Sequence, residues 1–239
     1  MPLVAAAVCP HPPLLVPELA GAAAPELADL RAACDAAVTG LLDHAPEQVL
    51  LVGGGPETTR FSTADYGSLR GYGLDRYVQL WKVNCAGGGR LPLSLTIGAW
   101  LLHRARTGLP RFAEAVAVDA APDRCAALGA ELAARAEPRT ALLVLGDGTA
   151  CRGTGAPGYD DPGAQPYDEG VAAALAGADS DALLDLDPAL STRLKAAGRA
   201  PWQVLAGAVR ATGVPWRGEL RHHTAPYGVG YLVASWEPA

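Results

Sequence analysis

Apolar residues fall into short blocks along this chain, and proline or glycine ends most of them. Leu3 to Val8 is a continuous apolar run cut short by Pro10, Pro12 and Pro13. A run of that length between turn residues predicts a strand buried on both faces. Pro25 to Asp43 follows a different period. Leu27, Leu30, Cys34, Ala37 and Leu41 recur every three or four residues and form one apolar stripe of a helix. Val49 to Val52 predicts a second buried strand, broken by Gly53-Gly54-Gly55-Pro56. Residues 57–75 are polar and rich in glycine and tyrosine, and read as a long loop. Tyr77 to Val83 alternates enough for a strand at the sheet margin.

The same alternation continues. Leu93 to Arg106, Pro122 to Ala136, Tyr167 to Ala176, Pro188 to Ala197 and Pro201 to Ala211 predict helices. Glu114 to Val118 and Ala141 to Leu145 predict strands. Trp216 to Thr224 and Val229 to Trp236 read as a closing hairpin around Pro226-Tyr227-Gly228. The pattern predicts an α/β fold: a mainly parallel central sheet, helices on both faces and a C-terminal antiparallel hairpin. No linker divides the chain, so residues 1–239 read as a single domain.

Composition narrows the function classes. Half of the residues are hydrophobic and 18% are charged, which excludes a disordered chain. The net charge of −6 leaves no broad basic field, which argues against nucleic acid as a partner. No apolar run approaches the roughly 18 residues of a membrane span. The first basic residue is Arg31, and bulky Val8 precedes Cys9, so neither a secretory signal nor a lipoprotein start is indicated. The cysteines at 9, 34, 85, 125 and 151 are odd in number and widely spaced, with no CxxC. That usage predicts reduced thiols in the cytoplasm. Lysine occurs only at Lys82 and Lys195, a bias of high-GC coding more than of function.

In an open α/β sheet, ligands bind beyond the carboxyl ends of the strands. Three predicted strand exits carry chemistry: Cys9-Pro10-His11-Pro12-Pro13, Gly53-Gly54-Gly55-Pro56-Glu57-Thr58-Thr59, and Gly146-Asp147-Gly148-Thr149. If their strands are parallel neighbours, the exits converge on one crevice. Prolines on both sides of His11 restrict the backbone around it. That rigidity suits a metal ligand or an acid/base, and equally a histidine tucked under a proline turn. Asp147 reads as a ligand or base, or as a turn cap. The glycine loops lack Rossmann or Walker spacing. Their amides suit an anion-binding nest, although tight turns are the weightier reading. Asp160 and Asp161 read as a solvated face, and Asp168 and Glu169 as first-turn helix carboxylates. His222 and His223 alternate on a strand, so at most one faces a pocket, and a surface pair is the weightier reading. His44 and His103 read as structural.

Taken in order, several segments resemble a known family. They are Cys9-Pro10-His11-Pro12-Pro13, Leu91-Pro92-Leu93-Ser94-Leu95-Thr96-Ile97-Gly98, Leu145-Gly146-Asp147-Gly148, Tyr167-Asp168-Glu169 and Pro226-Tyr227-Gly228-Val229-Gly230-Tyr231. Together they resemble the class III extradiol ring-cleavage dioxygenase superfamily, in its subunit-B-like, Memo-related branch, over almost the whole chain. The resemblance implies Fe(II) or another divalent metal held by two histidines and a carboxylate, with positions left for a catechol and O₂. It also implies a separate acid/base histidine and a homo-oligomer. His11 matches the first ligand position. Gly53-Gly54-Gly55 stands at the second ligand position, and Gly146-Asp147-Gly148-Thr149 stands where the acid/base histidine belongs. Pro226-Tyr227-Gly228 supplies no carboxylate or thiol for the last ligand.

The resemblance therefore implies a degenerate or remodelled site with His11 and Asp147 as its catalytic anchors. Gly54, Gly55, Glu57, Gly146, Gly148, Thr149 and Tyr227 are expected to line a small-molecule ligand. Glu57, Asp147, His222 or His223 are the candidates to replace missing metal ligands beside His11. Two other readings compete: a non-catalytic binding or scaffold protein that kept the fold, and a metal-independent enzyme using His11 and Asp147 as an acid/base pair.

Overall fold

Continuous apolar runs make strands that are covered on both sides, and every residue of β1 (Leu3–Cys9) is buried. The computed structural model describes residues 2–81 and 89–239. The remaining strands are β2 (Gln48–Gly55), β3 (Thr59–Phe61), β4 (Tyr66–Ser68), β5 (Tyr77–Gln79), β6 (Arg111–Ala117), β7 (Thr140–Leu145), β8 (Trp216–Thr224) and β9 (Tyr231–Pro238). The helices are α1 (Pro17–Ala20), α2 (Ala28–Asp43), α3 (Leu93–Arg104), α4 (Pro122–Ala134), α5 (Ala164–Gly177), α6 (Ser180–Leu184), α7 (Pro188–Arg193) and α8 (Arg199–Ala211).

Seven strands form one sheet in the order β3-β6-β2-β7-β1-β9-β8. The central four, β6, β2, β7 and β1, are parallel. Antiparallel strands close both edges: β3 on β6, and the β8–β9 hairpin on β1. Successive side chains divide between two cores, as strand alternation requires. Val8, Leu142 and Val144 face a core built with α4, α5 and α8, which includes Trp202 and Trp236. Ala7, Cys9, Leu143 and Leu145 face the other, built with α2 and α3. The expected α/β architecture is therefore present.

Helix ends follow their side chains. The Asp187 carboxylate accepts the Leu190 N–H at the start of α7, and Pro188 fills its first turn. The α4–α8 crossing is a backbone contact. A Cβ on Gly129 would strike the Val204 carbonyl, and one on Gly207 would strike that of Ala126. Arg199, buried at the start of α8, donates to the Val118 carbonyl at 2.6 Å and so fastens α8 to the exit of β6.

Several boundaries differ from the sequence pattern. β2 continues through Gly53, Gly54 and Gly55, which pair with Ala115 to Ala117 of β6. Local glycine preference is overridden because α3 lies directly on this strand: a Cβ on Gly53 would be 2.5 Å from Ser94 Oγ. Residues 57–75 are not one loop, since they contain β3 and β4. β5 pairs with β4 in a separate two-stranded sheet and does not extend the main one. Positions 82 and 83 of the expected strand, and Cys85, lie outside the described residues. The α2 helix begins at Ala28, preceded by 3-10 turns through Leu27.

Candidate functional site

Parallel pairing brings the three expected exits together. Leu145 at the end of β7 is in register with Cys9 of β1 on one side and Gly53 of β2 on the other. The Gly146 N–H donates to the Cys9 carbonyl at 3.0 Å and ties two of the exits. Pro10, Pro12 and Pro13 have no amide hydrogen, so His11 carries the one N–H of that segment. It donates to Asp147 Oδ1 at 2.7 Å. The same oxygen lies 3.5 Å from His11 Nδ1. Both side chains are largely covered, 12% exposed for His11 and 14% for Asp147.

His11 Nδ1 is buried and makes no hydrogen bond of good geometry. The ring is therefore close to Asp147 but under-satisfied, a condition that needs a reason in a folded protein. Burial raises the Asp147 carboxyl above its ordinary range, while the charge and the backbone N–H of His11 pull it down. Buried Tyr231 stands near enough to feel Asp147. Its phenol is pushed up by burial first and by that negative charge second. Cys34 is pushed well up by its hydrogen bond with Cys9, by burial and by Cys9 and Asp147. Neither ionisation is available near neutral pH, so Tyr231 and Cys34 form a covered wall and Cys34 supplies no thiolate. Helical periodicity places Cys34 in the core, and Tyr231 falls in the expected closing strand and in the last resembling segment, with nothing in either that assigns it to this site.

The other expected residues are placed differently. Gly54 and Gly55 are ladder-paired strand residues, not a loop nest. The Gly54 carbonyl accepts the Ser94 hydroxyl at 2.7 Å. Glu57 is exposed in the turn leading to β3, with no ion pair or hydrogen bond to His11 or Asp147 among the described residues. Gly146 is packed against Gly198 and Trp202, and a Cβ there would be 3.0 Å from the indole Nε1. His222 and His223 point apart, as alternation requires. His222 contacts the Thr224 hydroxyl and feels Asp29, while His223 feels Asp168 and Arg152. Both are half-buried, which corrects the surface-pair reading, and burial lowers both rings. His44 pairs with Glu237 at 2.9 Å, and His103 Nε2 meets the Gln79 carbonyl at 2.7 Å.

Tyr227 is exposed, and its backbone holds φ +59°. A bulky residue in the left-handed region is strained. Its hydroxyl donates to Glu26 Oε2 at 2.6 Å, tying the β8–β9 turn to the segment between β1 and α2. Gly148 and Thr149 are bound inward. Gly148 N–H donates to the Gly230 carbonyl at 2.7 Å, and Thr149 donates to Asp168 through both its N–H (2.8 Å) and its hydroxyl (2.9 Å). Asp168 is the fifth residue of α5 and fully buried, not a first-turn dipole partner. Asp160 and Asp161 are also tied in part: Asp160 accepts the Gly153 N–H, and Asp161 pairs with Arg193 at 2.7 Å.

An iron of the extradiol type needs three protein donors on one face. Here His11 and Asp147 converge, but Glu57, His222 and His223 do not join them. Among the described residues no group of three His, Cys, Asp or Glu side chains is arranged to hold a metal ion. The donor set present does not fit that metal.

No protein family and no curated protein matches the sequence. The fold is similar to the crystal structure of an uncharacterized protein, JW3007, from Escherichia coli K12. That likeness has a TM-score of 0.54 and 12% sequence identity, and it covers 98% of this chain and 99% of the other. It supports the α/β architecture over essentially the full length. Among the described residues no helix is long and apolar enough to cross a membrane.

Proposed function

We propose that this chain is a class III extradiol dioxygenase-like domain whose strand-end site is remodelled into a His11–Asp147 acid/base pair acting on a small, catechol-type molecule. The observation that carries this reading is the 2.7 Å bond from His11 N–H to Asp147 Oδ1, with His11 Nδ1 3.5 Å from the same oxygen. In this arrangement Asp147 orients the imidazole with Nδ1 toward the carboxylate. Nε2, which has no hydrogen-bond partner among the described residues, then takes or delivers a proton at the crevice. The raised carboxyl keeps Asp147 poised between its two forms nearer neutral pH than a free aspartate. The superfamily's iron has no place in this scheme, because its donor set is incomplete here.

The test is anaerobic incubation with Fe(II), desalting, and iron analysis, alongside titration with 4-nitrocatechol followed by absorbance. The expected result is far less than one iron per chain, no oxygen consumption, and a catechol signal that His11→Ala and Asp147→Asn each abolish. Stoichiometric iron lost on His11→Ala would overturn the metal-independent site. A catechol signal unchanged in both variants would overturn the pair as the binding centre.

A further inference from the structure

The exit loop that carries Asp147 is pinned at every residue. Gly146 N–H bonds to Cys9 of β1, the Asp147 carbonyl accepts the Gly198 N–H at 2.7 Å, and Gly148 N–H bonds to Gly230. These three anchors are backbone groups that come with the fold. Thr149 is held by a backbone bond as well, its carbonyl accepting the Gly230 N–H, and by a side chain: Asp168 accepts both donors of Thr149. It is also the one anchor that approaches the loop from α5, on the opposite face of the sheet from Cys34 and Tyr231.

We infer that Asp168 is a positioning residue that sets the Asp147 carboxylate against His11 by holding Thr149. This inference rests on the His11–Asp147 reading above. The local packing is cut to the size of the carboxylate. A Cβ on Gly148 would lie 2.6 Å from Asp168 Oδ1, and one on Gly230 would strike Oδ2. Asp168 thus explains glycine at both loop positions, Gly148 after β7 and Gly230 before β9. The same Gly230 closes a short loop, since its N–H donates to the Thr149 carbonyl at 2.8 Å. Arg152 lies 3.8 Å from Oδ2 and supplies partial charge balance. Burial nonetheless raises the Asp168 carboxyl, and the Thr149 bonds oppose that rise. A group so costly to bury is retained where its geometry matters, and here that geometry runs one peptide unit away from Gly148 and two from Asp147.

The experiment uses ¹⁵N-histidine-labelled full-length protein, with His11 assigned through His11→Gln. The ring ¹⁵N shifts of His11 report which partner Nδ1 faces. Asp147→Asn defines the shift of an uncoupled ring. Asp168→Ala is expected to move His11 by at least half of that change, although Asp168 does not touch it. Asp168→Asn, which keeps an acceptor for the Thr149 N–H, is expected to restore most of the wild-type signal. A folded Asp168→Ala protein of lower Tm with unchanged His11 shifts would show a purely structural role and overturn the inference. If Asp168→Ala does not fold, Thr149→Val removes only the hydroxyl donor and is judged by the same shift. If Asp147→Asn itself leaves His11 unmoved, the pair fails first, and the positioning role fails with it.

Discussion

Asp147 and Asp168 are carboxylates bound to one four-residue loop, and burial raises both, yet they are satisfied very differently. Asp168 accepts two hydrogen bonds from Thr149, has Arg152 beside it and is fully covered. Asp147 accepts one backbone N–H and faces an imidazole nitrogen that makes no proper bond. A saturated buried carboxylate holds shape. An under-satisfied one beside a histidine holds free energy that a ligand or a proton can release. The loop thus has a saturated, structural face toward α5 and an under-satisfied face toward β1, where the proposed acid/base pair lies.

The largest expected effect is on the structural face. Asp168→Ala leaves the Thr149 N–H and hydroxyl buried without partners, and each such unsatisfied group costs about 1–3 kcal/mol. For a chain of this length that lowers Tm by about 10 °C. Urea unfolding measures it, and a loss below about 1 kcal/mol would erase the contrast between the two carboxylates. Gly148→Ala comes next. Its methyl would meet Asp168 Oδ1 at 2.6 Å and the Gly230 carbonyl at 3.0 Å. Overpacking of this kind costs about 1–3 kcal/mol. In an Asp168→Ala background the same substitution is expected to cost less, and a double-mutant cycle reads that coupling. Strict additivity would mean the glycine is required for some other reason.

The His11–Asp147 face is the more legible in the sequence. Three prolines around a histidine at a strand end are a local signal, and Asp147 follows an apolar run with glycine on each side. The α/β alternation was legible for the same reason, since strands covered on both faces must be apolar throughout. Asp168 was not legible in its role. Its partner Thr149 is 19 residues away, and only the packing of α5 on the sheet joins them. The glycines of β2 read as a loop in the sequence because two non-local features set them: ladder pairing with β6 holds all three in the strand, and the close approach of Ser94 and Leu95 of α3 leaves no room for a side chain at Gly53. Glu57, His222 and His223 were donors by residue type alone, and topology sends each of them elsewhere.

Asp147→Asn is expected to act in the opposite sense to Asp168→Ala. It keeps an oxygen for the His11 N–H and removes a charge that burial disfavours. The expected gain at neutral pH is up to about 1 kcal/mol, the pattern of a site residue held at a cost to stability. Its pH dependence carries a sign. A carboxyl raised in the folded state contributes stability fully below its unfolded value, ordinarily 3.8, and loses it as pH rises through the folded value. The wild-type and Asp147→Asn stability curves should therefore meet near pH 3 and separate as pH rises. Curves that stay parallel would mean Asp147 is not perturbed, and the two carboxylates would no longer differ as described.

The smallest expected effect lies behind the structural face, at His223. Burial lowers this ring from its ordinary 6.5, and Asp168 only partly opposes that. A histidine lowered in the folded state contributes stability above its unfolded value and loses it as pH falls through the folded one. Acidification from pH 7.5 to 5 thus protonates the unfolded chain first and costs the fold. At a half-buried position, screening holds this to about 0.5 kcal/mol. His223→Gln should flatten that part of the acid limb, while His222, lowered on the other face, keeps its own share. Because the Asp168 charge partly offsets the lowering of His223, the flattening should grow when Asp168→Asn is added, whereas adding Asp147→Asn should leave it intact. Equal responses to the two aspartate changes would merge the two faces into one electrostatic network.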